Sequence, residues 1–349
     1  MAPTGTSCGA WSLGPFNNPF VHGASPILAG EILLMVCDQD TNSFLLAIDK
    51  HAGRVIWRTE RPHAQLGCAT PILYQPRESG LQVLVTGTHR LSGYDARTGK
   101  ELWWIRRLPS QIKPTPVLDG DTVYFVTFSA ETEPGEQEIL PAFAEALVKL
   151  DRNHDGRISK DELEDARAKA RFDEYLDLDH TGYLEERDGE HLRERRLGES
   201  GLRAYRLGGQ GDLTESGLLW KNVRSLPNVP SPLVYRGVLY TLKEGGILTS
   251  FDPRSGAIVK QGRLHGAPGD YYASPVAADG KIYAVSEEGK VAVIRAGEQW
   301  ELIGVNDVED GSRSTPAIAG RKDVLAYVQH SLLLCWSRSD KAGNECGPG

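Results

Sequence analysis

The sequence lacks the signals of membrane insertion, secretion and nucleic-acid binding. None of its 349 residues belongs to an uninterrupted apolar stretch of about 18 residues, so no transmembrane helix is predicted. The first residues contain neither a basic segment nor a continuous apolar one, so no secretory signal is predicted in this chain. Acidic residues outnumber basic ones by 47 to 39, and the net charge of -8 argues against a nucleic-acid partner held by bulk positive charge.

Cysteine is scarce, and familiar catalytic motifs are missing. The five cysteines form neither an adjacent pair nor a C-x-x-C pair: Cys8, Cys37, Cys68, Cys335 and Cys346. This spacing disfavours zinc and thioredoxin-like redox chemistry, so we predict buried or incidental thiols. The sequence also contains no G-x-S-x-G elbow, no P-loop and no H-E-x-x-H motif. These absences favour a non-catalytic protein without excluding an enzyme.

What the chain does contain is an internal repeat. A Ser/Thr-Pro-apolar signal occurs at Ser25-Pro26, Thr70-Pro71, Thr115-Pro116, Ser231-Pro232, Ser274-Pro275 and Thr315-Pro316. The intervals are 45, 45, 116, 43 and 41 residues. Four of them match the length of a four-stranded propeller blade, about 40–50 residues. The long interval exceeds the usual one by 71 residues, which predicts an inserted subdomain between the third and fourth repeats.

Each repeat also contains turn signals. Asp-Gly pairs such as Asp119-Gly120 stand between apolar runs and predict hairpins. A second turn places Asp, Gly and Trp four residues apart, as Asp49, Gly53 and Trp57 and again as Asp95, Gly99 and Trp103, whereas Lys260 replaces Trp in a later repeat. We predict that the Asp side chain binds turn backbone, that Gly supplies a permissive conformation and that Trp covers the neighbouring blade.

These residues resemble the quinoprotein-type (PQQ-like) β-propeller repeat, with its Ala-x-Asp-x-x-Thr-Gly-x-x-x-Trp docking motif. The resemblance spans about residues 20–130 and 200–337. It implies an all-β propeller, although the family ring usually has seven or eight blades and only about six are recognisable here. We therefore expect an N-terminally incomplete chain, and the resemblance then implies a periplasmic or extracellular location.

The long interval contains an EF-hand calcium loop. Residues 151–162 match D-x-[DN]-x-[DN]-G-x5-E at every required position. A hard cation takes six to eight oxygen ligands, which such a loop presents at alternate positions. The predicted ligands are the side chains of Asp151, Asn153, Asp155, Ser159 and Glu162, with Ser159 binding directly or through water, and the carbonyl of Arg157. Glu162 is expected to begin an outgoing helix.

A second loop covers residues 177–188 and departs from the pattern twice. Its predicted ligands are Asp177, Asp179, Thr181, Tyr183 through its carbonyl, and Asp188. Thr181 is neutral, and Asp188 is one methylene shorter than Glu, so this loop either binds calcium weakly or serves only as the structural partner of the first. Ile158 and Leu184 should form a short β contact between the loops. His154 and His180 are predicted to be solvated rather than zinc ligands.

The sequence thus predicts an all-β propeller of about six four-stranded blades with an inserted α-helical EF-hand subdomain. The predicted divisions are propeller blades in 1–130, the calcium module in 131–200, blades in 201–340 and a tail in 341–349. The favoured function is a non-catalytic binding or scaffold protein that binds calcium and presents a propeller face to an unidentified protein or ligand.

Two alternatives remain open. One is a PQQ-dependent sugar or alcohol dehydrogenase, since the resemblance implies a quinone held between an aromatic platform and, often, a disulfide of adjacent cysteines. The chain has no such cysteine pair, and Trp103 and Trp104 are expected to pack in the core. PQQ is therefore unsupported by the residues. The other alternative is a scaffold for outer-membrane protein assembly. The charged run from Glu185 to Arg196 is expected to be a solvated helix face.

Overall fold

The computed structural model describes residues 13, 14, 16, 23–65, 67–128, 140–308, 311–319, 323–328 and 331–336. The chain divides into two compact units, Met1–Ser231 with Arg254–Gly256, and Pro232–Pro253 with Ala257–Gly349. The predicted tail 341–349, Cys8 and Cys346 lie outside the described residues. Within those residues, no helix has the length and apolar character needed to cross a membrane.

The first unit begins with two antiparallel sheets. The strands of the first sheet are β1 (Ile27–Ala29), β2 (Ile32–Cys37), β3 (Phe44–Asp49) and β4 (Val55–Glu60). Those of the second are β5 (Ile72–Tyr74), β6 (Gln82–Gly87), β7 (Arg90–Asp95) and β8 (Glu101–Ile105). In both sheets the chain passes to the adjacent strand each time. The middle strands are almost fully buried, whereas β4 is mostly exposed or partly exposed, as for blades packed face to face.

The third sheet is interrupted by the insertion. It starts with β9 (Val117–Asp119) and β10 (Thr122–Thr127), and β10 then pairs antiparallel with a strand that follows the insertion, β13 (Gly201–Arg206). The sheet closes with β15 (Leu218–Asn222), while β14 (Gly211–Asp212) adds a short parallel strand to β8 of the second sheet. The insertion therefore lies within the third repeat, between its second and third strands, and not between the third and fourth repeats.

Among the described residues, all the α-helices lie in the inserted module. Its elements are α1 (Phe143–Leu150), β11 (Ile158–Ser159), a 3₁₀ turn (Lys160–Glu162), α2 (Ala166–Ala170), a π-helical turn (Phe172–Leu176), β12 (Tyr183–Leu184) and α3 (Glu186–Leu197). Its own small core contains Phe143, Ile158, Leu163, Phe172 and Leu184. Leu147 and Leu150 pack against this core, which confirms the apolar stripe on α1. The charged helix α3 completes the module.

The second unit contains three further sheets in its described residues. The strands are β16 (Leu233–Tyr235), β17 (Val238–Lys243), β18 (Ile247–Phe251) and β19 (Ile258–Arg263); β20 (Val276–Ala278), β21 (Lys281–Val285), β22 (Lys290–Arg295) and β23 (Glu301–Asp307); and β24 (Ala317–Ala319), β25 (Asp323–Val328) and β26 (Ser331–Trp336). Each sheet follows chain order, and its strands are antiparallel. Six repeat sheets thus correspond to the six sequence signals.

The Ser/Thr-Pro signal has a structural explanation. Each of its six prolines stands directly before the first strand of a sheet. In the first unit, the Ser25 N–H donates to Thr70 Oγ1 at 3.1 Å, and the Thr115 N–H donates to Ser231 Oγ at 2.9 Å. In the second unit, the Ser274 N–H donates to Thr315 Oγ1 at 3.1 Å. The hydroxyl of one repeat therefore satisfies a backbone donor of the preceding repeat.

The Asp-Gly-Trp turn also functions as predicted in the first unit. Asp49 Oδ1 accepts the N–H groups of His51 and Ala52 at 2.9 and 2.7 Å. Trp57 extends to the next sheet, where its Nε1 donates to Ala96 O at 3.2 Å and its ring covers Gly99. Gly99 has a φ of 73°, in the left-handed region that favours glycine. The first sheet is thereby docked on the second.

A buried ion pair reinforces this part of the first unit. Arg61 and Asp38 are 5% and 0% exposed, and Arg61 Nε lies 2.8 Å from Asp38 Oδ1. Arg61 Nη1 also donates to Tyr94 Oη at 2.6 Å. Cys37, next to Asp38, is a buried thiol whose pKa is raised by burial to about 12, as expected for a structural cysteine. Cys68 is partly buried.

Candidate functional site

In the first predicted calcium loop, residues 151–162, the carboxylates accept hydrogen bonds from backbone N–H groups of the same loop. Asp151, at the end of α1, accepts the N–H groups of Asp155 at 3.2 Å and Gly156 at 2.9 Å. Gly156 has a φ of 82° and His154 a φ of 59°, so two left-handed residues produce the sharp bend. His154 is exposed, as predicted for a solvated loop residue.

Glu162 lies across the loop from Asp151. Its side chain is only 7% exposed, and Oε2 accepts both the N–H and the hydroxyl of Ser159 at 2.8 Å, while Oε1 accepts the Arg152 N–H at 2.9 Å. These hydrogen bonds, first those from Ser159, lower the pKa of Glu162 to about 2. The carboxylate is therefore held ionised and pointed into the loop.

The remaining predicted donors of this loop lie close to one another. Asn153 Oδ1 accepts the Asp155 N–H at 2.9 Å, and Asn153 Nδ2 donates to Asp155 Oδ2 at 3.1 Å. The Arg157 guanidinium packs over the Tyr183 ring at 3.9 Å. Because a guanidinium has no acceptor atom, only the backbone carbonyl of Arg157 is suited to a cation. Across the described part of the chain, no three His, Cys, Asp or Glu side chains converge in a metal-binding arrangement.

The second loop repeats the hydrogen-bond pattern of the first. Asp177 is 2% exposed and accepts the N–H groups of Thr181 at 3.0 Å and Gly182 at 2.7 Å. Asp188 Oδ2 accepts the Glu185 N–H at 3.0 Å, the counterpart of the bond from Ser159 to Glu162. Burial raises the pKa of Asp188, in contrast to Glu162. Thr181 Oγ1 donates to the carbonyl of Tyr183 at 3.2 Å.

Other predicted features of the second loop have mixed outcomes. Asp179 and His180 are exposed. The short β contact between the loops is confirmed, because Ile158 pairs with Leu184 in an antiparallel two-stranded sheet. The outgoing helix of the first loop begins later than predicted.

Glu162 ends a 3₁₀ turn instead of opening the outgoing helix. The helix α2 starts at Ala166, where Asp165 caps it by accepting the Arg167 N–H at 2.6 Å and the Ala168 N–H at 2.9 Å. An Asp at the N-cap satisfies the free N–H groups of the first turn, so the helix starts there.

A cavity of about 760 Å³ lies between α3 and the second sheet, entirely within the first unit. Sequence reasoning missed it, because its walls come from segments far apart in the chain. The walls are formed by Pro62, His63, Gln65, Thr88, His89, Arg90, Glu101, Trp104, Arg106, Asp212 and the α3 residues Glu186, Arg187, Glu190, His191 and Glu194. The run from Glu185 to Arg196 is therefore not only a solvated helix face.

The three arginines of the cavity are already engaged. Arg90 pairs with Glu101 at 3.0 Å, and its guanidinium lies 4.6 Å from the centre of the Trp104 ring. Arg106 pairs with Asp212 at 2.7 Å. Arg187 Nη2 donates to the carbonyl of Asp40, in the first sheet's loop, at 2.6 Å. The contact of Arg187 attaches the module to the first sheet.

Trp104 is not the core residue that the sequence predicted. Successive residues of a strand point to opposite faces. Trp103 is fully buried, with its Nε1 donating to Gln82 Oε1 at 2.8 Å, whereas its neighbour Trp104 is partly exposed and faces the cavity.

Two imidazoles meet at the back of the cavity. The rings of His89 and His191 are 4.7 Å apart, and Nδ1 of His89 donates to the carbonyl of Leu108 at 2.9 Å. Burial lowers the pKa of His191 well below its ordinary value, and burial also lowers the pKa of His63. The His191 and His63 imidazoles therefore add polar but neutral surface to the cavity wall.

Comparison with known proteins places the chain in a family. The sequence model described as outer membrane protein assembly factor BamB matches residues 10–133 and 42–344. A comparison with curated protein sequences finds no match.

The fold is similar to that of solved structures. BamB from Moraxella catarrhalis has a TM-score of 0.54 at 12% identity, over 91% of this chain and 70% of that chain. The computationally designed Ika8 protein has a TM-score of 0.52 at 10% identity, over 90% and 70%. Quinohemoprotein alcohol dehydrogenase from Comamonas testosteroni has a TM-score of 0.48 at 12% identity, over 82% and 43%. At these identities the first two likenesses indicate a shared fold alone.

Proposed function

The chain belongs to the outer membrane protein assembly factor BamB family of PQQ-like propellers, and we propose that it is a calcium-binding, non-catalytic propeller protein that binds a protein partner. The observation that carries the proposal is the pair of loops joined through Ile158 and Leu184. Each loop holds a carboxylate at its first and twelfth positions with the same hydrogen bonds to its own backbone.

The donor set of the first loop fits calcium. Asp151, Asp155 and Glu162 supply carboxylates, Asn153 an amide oxygen, and Arg157 a backbone carbonyl, and calcium prefers such hard oxygen ligands. The low pKa of Glu162 means that this ligand needs no deprotonation at neutral pH. Bound calcium would supply charge neutralisation that holds the two ends of the loop together.

The second loop is proposed as the weaker site. Asp188 has a shorter side chain than Glu162, and its raised pKa reflects a buried carboxylate beside Asp177 and Asp179. A cation in this loop would neutralise those like charges. Thr181 is neutral where the first loop has Asp155, but Asp179 replaces the neutral Asn153, so each loop has three ligand carboxylates and the shorter side chain of Asp188 is the reason for the weaker binding.

The tryptophans that could form an aromatic platform for a quinone do not support quinone chemistry. Trp103 is fully buried over Gly93 of its own sheet, and Arg90 covers one face of Trp104. Neither ring offers the open platform that a planar cofactor needs, and the sequence contains no adjacent cysteines. We therefore propose no reaction through PQQ. The family description names an assembly factor, which supports a scaffold role toward a protein partner.

Calcium titration by isothermal calorimetry on the full chain tests the proposal. The wild type should bind calcium at two sites of unequal affinity. Glu162→Gln should abolish the tighter site or weaken it at least tenfold, and Asp188→Asn should affect only the weaker one. Glu145→Gln, an exposed change on α1 outside both loops, is the matched control and should leave both sites intact. No binding by the wild type, or unchanged binding by Glu162→Gln, would refute calcium binding.

A further inference from the structure

We propose that the cavity between α3 and the second sheet binds a linear alkylamine with two or three ammonium groups. This inference is independent of calcium binding, because the cavity residues are distinct from the loop ligands. The cavity of about 760 Å³ is within the range of small-molecule sites, about 300–1,000 Å³. Its charge, its spacing and its aromatic wall each favour this ligand class.

The charge of the walls disfavours an anionic ligand. Five carboxylates line the cavity against three guanidinium groups, which leaves an excess of negative charge. Each guanidinium already donates to a protein acceptor: Arg90 to Glu101, Arg106 to Asp212, and Arg187 to Asp40 O. An anion would have to displace one of these contacts. Glu101 and Asp212 are themselves the partners of Arg90 and Arg106, so the negative charge in excess comes from the carboxylates of α3, of which Glu190 also pairs with Arg193 at 2.9 Å.

The carboxylates of α3 have a regular spacing. Glu186, Glu190 and Glu194 stand four residues apart and all line the cavity, so they form one row along the helix. With a rise of 1.5 Å per residue, neighbouring members of the row are about 6 Å apart along the axis. Nitrogen atoms joined by three or four methylene groups in an extended alkylamine have a similar separation. A linear diamine or triamine therefore matches the row.

Glu194 provides an independent indication. Its Oε2 is shielded from solvent and receives no hydrogen bond from the described residues, while its Oε1 lies 3.9 Å from Arg106 Nη1. A shielded carboxylate oxygen without a donor is costly, typically by about 1–3 kcal/mol. A small rotation of this side chain toward the cavity would place the oxygen against a ligand ammonium group.

The opposite wall suits the methylene chain of such a ligand. Trp104 and Pro62 present apolar surface to the cavity, and one face of the Trp104 ring is already covered by Arg90. The His191 imidazole adds neutral surface, because burial keeps it uncharged. The combination of a carboxylate row and an aromatic wall favours an amine with an alkyl body over a compact inorganic cation.

Calorimetric titration of the full chain with spermidine, at saturating calcium and physiological salt, tests the inference. One spermidine should bind per chain, and the uncharged tetraethylene glycol should not bind. The double variant Glu190→Gln, Glu194→Gln should weaken binding at least tenfold. The matched control, Glu145→Gln with Glu164→Gln, removes the same charge from exposed positions of the module and should bind normally. Trp104→Ala should weaken binding without changing net charge.

Three results would overturn the inference. They are no saturable binding by the wild type, equal losses in the two double variants, and no loss in the cavity double variant. Equal losses would mean diffuse attraction to an acidic protein. Far-ultraviolet circular dichroism and the calcium titration establish that each variant is folded. A variant that binds calcium but not spermidine has therefore lost only the cavity site.

Discussion

Gly99 and Gly120 are both turn glycines with positive φ, at 73° and 57°, but they differ in their surroundings. A Cβ at position 99 would lie 2.5 Å from the Trp57 ring, whereas a Cβ at position 120 would have no atom within 4 Å. Glycine is therefore needed at position 99 both for its positive φ and for the close approach of Trp57. At position 120 it is needed only for its positive φ.

Replacing each glycine by alanine should separate the two effects. Gly120→Ala should destabilise the protein by about 1–2 kcal/mol, the usual cost of a left-handed non-glycine residue. Gly99→Ala should cost a further 1–3 kcal/mol or so, because the methyl group must displace Trp57. Urea unfolding followed by tryptophan fluorescence measures both. Equal losses in the two variants would contradict the assigned role of Gly99 in docking.

Individual residues were predictable where their role is local. The Asp49 turn and the Asp119-Gly120 hairpin follow from short-range backbone chemistry, which the sequence reveals directly. The pairing of Ile158 with Leu184 follows from loop numbering. Trp104 was predicted wrongly, because its environment depends on α3, about 80 residues later in the chain. The hydrophobic character of a side chain does not say which face of a strand it occupies.

At the scale of elements, the insertion joins two strands that are direct partners. Thr127 at the end of β10 pairs with Gly201 at the start of β13. Paired residues of antiparallel strands have Cα atoms about 4.5–5.5 Å apart, so a short hairpin turn can span this gap. The third sheet therefore does not require the module for its connectivity.

Excision of the module should leave a folded propeller protein. We expect a variant with residues 129–198 replaced by Asn-Gly to keep its β circular dichroism and cooperative unfolding, and to lose calcium and spermidine binding. Glu199 is retained because its carbonyl accepts a hydrogen bond from the buried Arg203. A control deletion of 124–204, which removes four of the six residue pairs between β10 and β13, should unfold the third sheet. An unfolded first variant would show that the module supports the sheets.

The position of the insertion within a repeat was beyond sequence reasoning. The Ser/Thr-Pro signal marks the start of a sheet, and the 116-residue interval shows that one repeat is too long. Neither shows between which two strands of the repeat the additional residues are inserted. The cavity was hidden for a similar reason. Its walls combine residues near positions 62, 90, 104, 190 and 212, which only the packing of α3 on the second sheet brings together.

At the scale of the molecule, the proposed function is that of a non-catalytic member of the family. We expect the purified protein, supplied with PQQ and calcium, to reduce an artificial electron acceptor no faster than a heat-denatured control across sugars and primary alcohols. The reason is that Trp103 is enclosed and Trp104 is covered on one face by Arg90. Substrate-dependent dye reduction above background would contradict the non-catalytic assignment and restore the dehydrogenase alternative.

The pairing of Thr127 with Gly201 also has a kinetic consequence. The first two sheets assemble from hairpins of neighbouring strands, but β10 must wait for β13 across 73 intervening residues. Extending a closing loop from about four to about 70 residues is roughly four doublings, or about 2.4 kcal/mol of additional chain entropy. A module that folds first shortens the effective loop. We therefore expect the third sheet to be completed only after the inserted module has folded.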